Sequence, residues 1–288
     1  MGCDVDQARN FIYANARLLE RRVYAVLFEN GAVDAVIAAV APYQNADGGF
    51  GHALEPDKRA PASQPLDVEI AFERLASVDA RSSELMTSAC DWLATVAAPS
   101  GAVQVLMPSH EGFPRADHWL GVSYEPHVNP TAGIVARAHQ LGVTHPWVDQ
   151  ATEFCFAEIE VGRPTDEAHA LLGLSRLIEH APDRDRAQLC SDAIATAIET
   201  ARFMNLDPTG DGYGLTPLDF VPTPTSVAAE WFDAELIAAH LDLLESEQHD
   251  DGGWPIAWDP PGDAGRSEWR GIKTVDALRI LRAHGRTA

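Results

Sequence analysis

The chain has 288 residues, 46% of them hydrophobic, enough for a large core, yet it holds no run of about 18 apolar residues that would span a membrane. Its 43 aspartates and glutamates against 21 lysines and arginines give a formal charge of −22, and a surface that negative repels nucleic-acid phosphates and anionic lipid. The opening Met1–Phe11 carries acids where a secretory leader needs basic residues and then an apolar run, so a cytoplasmic protein with no nucleic-acid partner is expected.

Helical periodicity runs through almost the whole chain, and alternating strand patterns are nearly absent. Residues 5–28 place Ala8, Phe11, Ile12, Ala16, Leu19, Val23 and Leu27 on one stripe, and Asn30-Gly31 stops that helix. The nearly apolar stretch 32–43 predicts a helix buried on most sides. Further helices are predicted over 65–78, 82–97, 129–141, 146–160, 166–180, 184–204, 226–247 and 271–284, with start signals at Asp79, Ser82, Thr165-Asp166-Glu167 and Pro182. Cys90, Cys155 and Cys190 fall inside these apolar-periodic stretches, no CxxC pair occurs, and all are read as reduced core thiols. Glycine-bearing breaks near 44–51, 99–102, 161–164, 207–214 and 248–254 leave two helices in each interval. That rhythm is the signature of a helical repeat, here a single domain over 1–288.

Two breaks match almost letter for letter. Gln44-Asn45-Ala46-Asp47-Gly48-Gly49-Phe50 and Gln248-His249-Asp250-Asp251-Gly252-Gly253-Trp254 both read Q-x-x-D-G-G-[FW] and both follow an apolar helix. Asp207–Tyr213 reads as a decayed copy and Pro99–Val103 as a weaker one. The glycines permit positive φ at the helix exit, the Asp accepts from turn amides, and the Gln and the ring reach a neighbouring pair, so the unit clamps repeats together.

Q-x-x-D-G-G-[FW] after a helix resembles the repeat motif of the terpenoid cyclase and protein prenyltransferase superfamily. The chain is also similar to small actinobacterial proteins loosely called prenyltransferases. The resemblance implies an all-α fold, an α/α toroid of about five helix pairs around a central apolar cavity that would hold a small apolar molecule. The superfamily's D-x-D-D acid and D-D-x-x-D diphosphate motifs are absent, and no cysteine has a ligand partner nearby. No metal and no cofactor are therefore expected.

Residues that the clamps do not explain are the candidates for function. The loop after the first clamp crowds His52, Glu55, Asp57 and Arg59 into a proline-flanked segment suited to acid–base chemistry. The long stretch from Met107 to Pro130, with Trp119, Tyr124 and His127, reads as a lid, and its histidines lack metal-ligand spacing. Asp219, between Leu218 and Phe220, is costly to bury charged, so it is exposed, paired, or a protonated acid. Trp258 and Trp269 suit a cavity mouth, Glu268 and Arg270 a mutual pair, and His169 and His240 a packing role. The catalytic candidates are thus Glu55, Asp57, Asp219 and His52; Arg59, Trp119, Tyr124, His127, Phe220, Trp258 and Trp269 are the substrate-binding ones. Three functions stand open: an enzyme on an isoprenoid-type substrate, a glycan-processing toroid enzyme, and a non-catalytic binding ring.

Overall fold

The structure, a computed structural model, describes residues 2–162, 164–210 and 212–287; Arg163 and Asp211, in two of the predicted breaks, lie outside them. Among the described residues the chain is all-helical around a compact core. Twelve α-helices follow in order: α1 (Val5–Asn15), α2 (Leu18–Phe28), α3 (Val33–Val40), α4 (Pro65–Ala76), α5 (Ser83–Val96), α6 (Val128–Gln140), α7 (Pro146–Glu160), α8 (Ala168–His180), α9 (Arg184–Ile198), α10 (Pro217–Phe220), α11 (Ala234–Ser246) and α12 (Gly262–Ala283). None is long and apolar enough to cross a membrane.

The count exceeds the sequence expectation chiefly because 5–28 is two helices. Ala16 and Arg17 are extended, with ψ of 158° and 163°. The Arg17 guanidinium donates to the Leu54 carbonyl at 2.8 Å and pairs with buried Glu20 at 2.8 Å, so tertiary contacts outweigh helical propensity there. α9 stops at Ile198, 227–231 is a 3-10 turn, α10 is short, and α12 begins already at Gly262. Cys90, Cys155 and Cys190 are free and buried, and burial pushes the Cys90 thiol up to about 12.

Both clamps make one hydrogen-bond pattern. Gln44 Nε2 donates to the Gly48 carbonyl at 2.8 Å and to the Leu85 carbonyl of α5 at 2.9 Å. Gln248 Nε2 donates to the Gly252 carbonyl at 3.1 Å and to the Asp4 carbonyl, at the start of α1, at 2.8 Å. Asp47 and Asp251 each accept from the amide two residues on, at 3.0 and 3.1 Å, and Phe50 and Trp254 are buried.

The third copy is Ala98–Val103, not the break at 207. Ala98 N donates to the Ala102 carbonyl and Gly101 N to the Ala98 carbonyl, as Asn45 and Gly48 do in the first clamp. Ser100 takes the place of the Asp, Val103 is buried in place of the ring, and Gly101 lies against Ala151 of α7. In the break at 207, by contrast, the ring of Tyr213 is 44% exposed.

The glycines are set by close approach as well as by φ. At Gly252 (φ +89°) an added Cβ would stand 2.3 Å from the Gln7 carbonyl oxygen of α1. Gly252→Ala is expected to destabilise by about 1–2 kcal/mol through the φ penalty and the backbone clash. Chemical denaturation measures this loss, and hydrogen exchange should localise it to α1.

Helices α4, α6 and α8 run side by side in one direction, and α12 meets α4 at the Arg74–Asp276 ion pair. A Cβ at Gly133 of α6 would lie 1.8 Å from Glu69 Oε1 of α4, and one at Gly173 of α8 would lie 2.8 Å from Gly133 N. Further along, Glu73 lies 3.3 Å from Arg176 and Arg74 lies 3.1 Å from Asp276. The N-termini of α4, α6 and α8 therefore share one end of the molecule, where Asp57, Asp67 and Glu167 lie, and arginines occupy the other. That arrangement of charge complements the helix dipoles.

Candidate functional site

Around the shared N-terminal end, the loop 51–64 folds over a buried ion triad. Lys58 Nζ sits 2.7 Å from Asp67 Oδ2 and 3.4 Å from Glu55 Oε2, with all three side chains nearly inaccessible. Asp67 Oδ1 accepts from the Glu55 amide at 2.7 Å, tying the loop to the first turn of α4. Burial raises the Glu55 carboxyl above its ordinary range, Lys58 pulls it down, and nearby Asp57 and Asp67 add to the rise. Burial likewise raises Asp67. Glu55, a catalytic candidate in the sequence, is thus placed in the triad and is 3% exposed.

Asp57, two residues on, faces a different set. Its Oδ1 accepts from the indole Nε1 of Trp269 at 2.8 Å and of Trp258 at 3.2 Å, and its Oδ2 lies 3.4 Å from His118 Nε2. A single carboxylate so locks two indoles from the far end of the chain, which stand edge to face with centroids 5.1 Å apart. Asp57 is itself 3% exposed and holds the two indoles in place.

The accessible chemistry lies beside that wall. Tyr213 stands edge-on to Trp258, 5.5 Å between centroids, and stacks near-parallel on His169 at 5.8 Å. The Tyr213 hydroxyl is 2.6 Å from His169 Nε2, and His169 Nδ1 bonds the Glu167 carboxylate. Glu167 is also the N-cap of α8, accepting from the Ala170 amide at 3.0 Å. Burial works against its ionised form, but His169 and these amides hold its carboxyl below the ordinary range. Burial, and then Asp219, Glu167, Asp57 and Glu55, raise the Tyr213 phenol, so it keeps its proton at neutral pH. Glu167, His169 and Tyr213 form a carboxylate–imidazole–phenol relay.

Sequence reasoning missed this relay. Glu167 read only as a helix-start signal, His169 as a packing side chain, and Tyr213 as a clamp ring. The signal available was Glu167 two residues before His169 at a helix start, where one carboxylate both caps and orients an imidazole.

Other expectations are redirected. Asp219 caps α10: its Oδ2 accepts from the Thr216 amide at 2.7 Å and hydroxyl at 3.0 Å. His52, at φ +58°, is exposed and reaches only Asn45 Oδ1, at 2.8 Å, on the outside of the first clamp. Phe220 is 2% exposed and packs on Phe232 in the core. Arg59, not Arg270, takes Glu268, at 2.5 Å, while Arg270 takes Asp251 at 2.7 Å. The stretch from Met107 to Pro130 is tied to the 57–59 segment by Ala116 N to the Asp57 carbonyl at 2.8 Å and Arg59 N to the Pro114 carbonyl at 2.9 Å. Within it Trp119 stacks edge-on to His118, while Tyr124 bonds Glu111 at 2.5 Å and His127 caps α6.

Below the aromatic wall, the side chains that α4, α6, α8 and α12 direct toward one another are Glu69, Glu73, Arg74, Arg137, Arg176 and Arg279. No protein-family model and no curated protein matches the chain.

Proposed function

We propose that the helix pairs close into an α/α toroid and that its mouth houses a proton-transfer enzyme for a hydroxylated, carbohydrate-class substrate. Closure is supported by the clamps. The clamp glutamine links α3 to α5, and the same step links α11 to α1, the last pair to the first, while Gln150 of α7 donates to the Pro99 carbonyl behind α5.

The observation that carries the chemistry is the Glu167–His169–Tyr213 relay set against the Trp258–Trp269 wall. Indole faces suit the apolar C–H faces of a sugar ring, and the surrounding carboxylates suit its hydroxyls. A proton held on His169 beside Glu167 passes to the Tyr213 oxygen as the phenol's own proton moves to a substrate oxygen. No phenolate accumulates among the carboxylates, and the net transfer is one proton from His169 to substrate.

The isoprenoid reading remains the second one, favoured by the Q-x-x-D-G-G-[FW] clamps alone; the charged side chains between the inner helices disfavour a greasy lumen.

The test is calorimetric titration with neutral oligosaccharides, prenyl alcohols and prenyl diphosphates, followed by product analysis. Oligosaccharide binding is expected, and Tyr213→Phe should keep it while lowering turnover by about 10²–10⁴-fold. Prenyl ligands alone binding would transfer the proposal to the second reading. Saccharide binding without turnover would make the ring a binding module.

A further inference from the structure

Four arginines meet near the C-terminal ends of the inner helices, and their counter-charges do not match them. Arg74 donates to both oxygens of Asp276, at 3.1 and 3.2 Å, and lies 3.6 Å from Glu73. Arg176 takes Glu73 at 3.3 Å, and Arg279 reaches Asp276 only at 3.9 Å. Arg137 forms no ion pair among the described residues; its one hydrogen bond is to Gln140 Oε1 of its own helix, at 2.6 Å. The Nε groups of Arg74, Arg137 and Arg279 are buried without a hydrogen-bond partner. Two carboxylates, Glu73 and Asp276, thus pair with three of the four guanidiniums, and Arg137 is left over.

The other carboxylates facing the cluster do not close the gap. Glu69 and Glu179 ion-pair with none of the four arginines. Burial pushes both carboxyls upward, Glu69 to about 7, which favours their neutral forms. Burial and neighbouring Arg176 bring Arg137 down to about 9, the mark of a cation crowded by like charge. Helix C-termini attract arginines through their exposed carbonyls, which offers a purely structural account of the cluster. Arg137, however, donates to no backbone carbonyl among the described residues, and those at the end of α8 are taken by Arg184, at 2.7 Å from Ile178 and 2.9 Å from Glu179. Arg176 and Arg279 keep 17% and 29% of their side-chain surface, so the cluster is reachable from solvent.

We propose that Arg137, Arg176 and Arg279 form an oxyanion-binding site between α6, α8 and α12, at the end of the inner helices opposite the aromatic mouth. A planar guanidinium fork fits a carboxylate or a phosphate group, and a third cation completes the charge balance for a dianion. The site does not depend on the reading of the mouth.

Thermal unfolding in phosphate, in malonate and in chloride at matched ionic strength tests it. The wild-type protein should show a saturable rise in Tm with phosphate or malonate, and the better of the two identifies the group preferred. Arg137→Gln should weaken that response by tenfold or more. In chloride alone it should unfold no earlier than wild type, because it removes a half-buried guanidinium that has no ion-pair partner among the described residues. The proposal is overturned by Tm values that follow ionic strength only, or by an equal rise in the variant. If the variant does not fold, arginine Nε–H resonances of the wild-type protein decide. Phosphate and malonate titrations that leave those of Arg137, Arg176 and Arg279 unmoved also overturn it.

Discussion

Lys58→Met is expected to lower the free energy of unfolding by about 3–5 kcal/mol, the largest single loss available outside the apolar core. Lys58 Nζ has no exposed surface and is the cation between Asp67 at 2.7 Å and Glu55 at 3.4 Å. Without it two buried carboxylates face each other with no counter-charge, and the chain must protonate them, admit water or open the loop. Opening the loop moves Asp57, so Trp258 and Trp269 lose their common acceptor and their fluorescence should change with the unfolding baseline. Urea denaturation at neutral pH gives the magnitude. The triple replacement Lys58→Met, Glu55→Gln, Asp67→Asn should recover much of the loss, since it removes the stranded charges along with the cation. A loss below about 1 kcal/mol in the single variant would mean that the triad is hydrated and not structural.

The fold was legible in the sequence where local patterns and tertiary packing agree. The stripes of α4 through α8 and the two Q-x-x-D-G-G-[FW] turns predicted helix pairs with clamps, and the hydrogen bonds of Gln44 and Gln248 are those of one repeated device. The break inside 5–28 was not legible, because nothing in Ala16-Arg17 disfavours a helix; the carbonyl that Arg17 seeks belongs to Leu54. The third clamp hid for a similar reason. Ala98–Val103 keeps the backbone hydrogen bonds while losing the Asp and the ring, so composition pointed to 207 while geometry points to 98. At the site, Asp57, Trp258 and Trp269 were each singled out as residues the clamps do not need, but their union across about 200 residues of chain is a product of the fold. Density of charge was a poor guide within one loop: of His52, Glu55, Asp57 and Arg59, Asp57 alone hydrogen-bonds the two indoles among the described residues.

Glu69→Gln is expected to become progressively more stable than the wild-type protein as pH rises from about 4.5 to about 7. Burial of the Glu69 carboxyl raises it to about 7, Glu73 on the same helix adds to the rise, and Arg176 and His169 of α8 and Arg137 of α6 oppose it. Below pH 4.5 both folded and unfolded chains hold the proton, and the residue carries no penalty. Between 4.5 and 7 the unfolded chain releases the proton while the folded one retains it, so the wild-type stability contributed by this group falls with rising pH. Above 7 the full penalty persists, about 2–3 kcal/mol once partial solvent access is allowed for. Glutamine has no proton to lose and escapes that decline. His180, brought down to about 4 by burial and Arg137, acts with the opposite sign between 4 and 6.5, and Glu73, held down to about 2, acts only below 4.5. The difference between variant and wild type cancels both, which is why the pair of proteins must be compared at each pH. Urea midpoints from pH 4.5 to 8 read the outcome. A flat difference would place Glu69 in water, and with it would go the argument that a neutral carboxyl at this level leaves the arginines of the inner helices uncompensated.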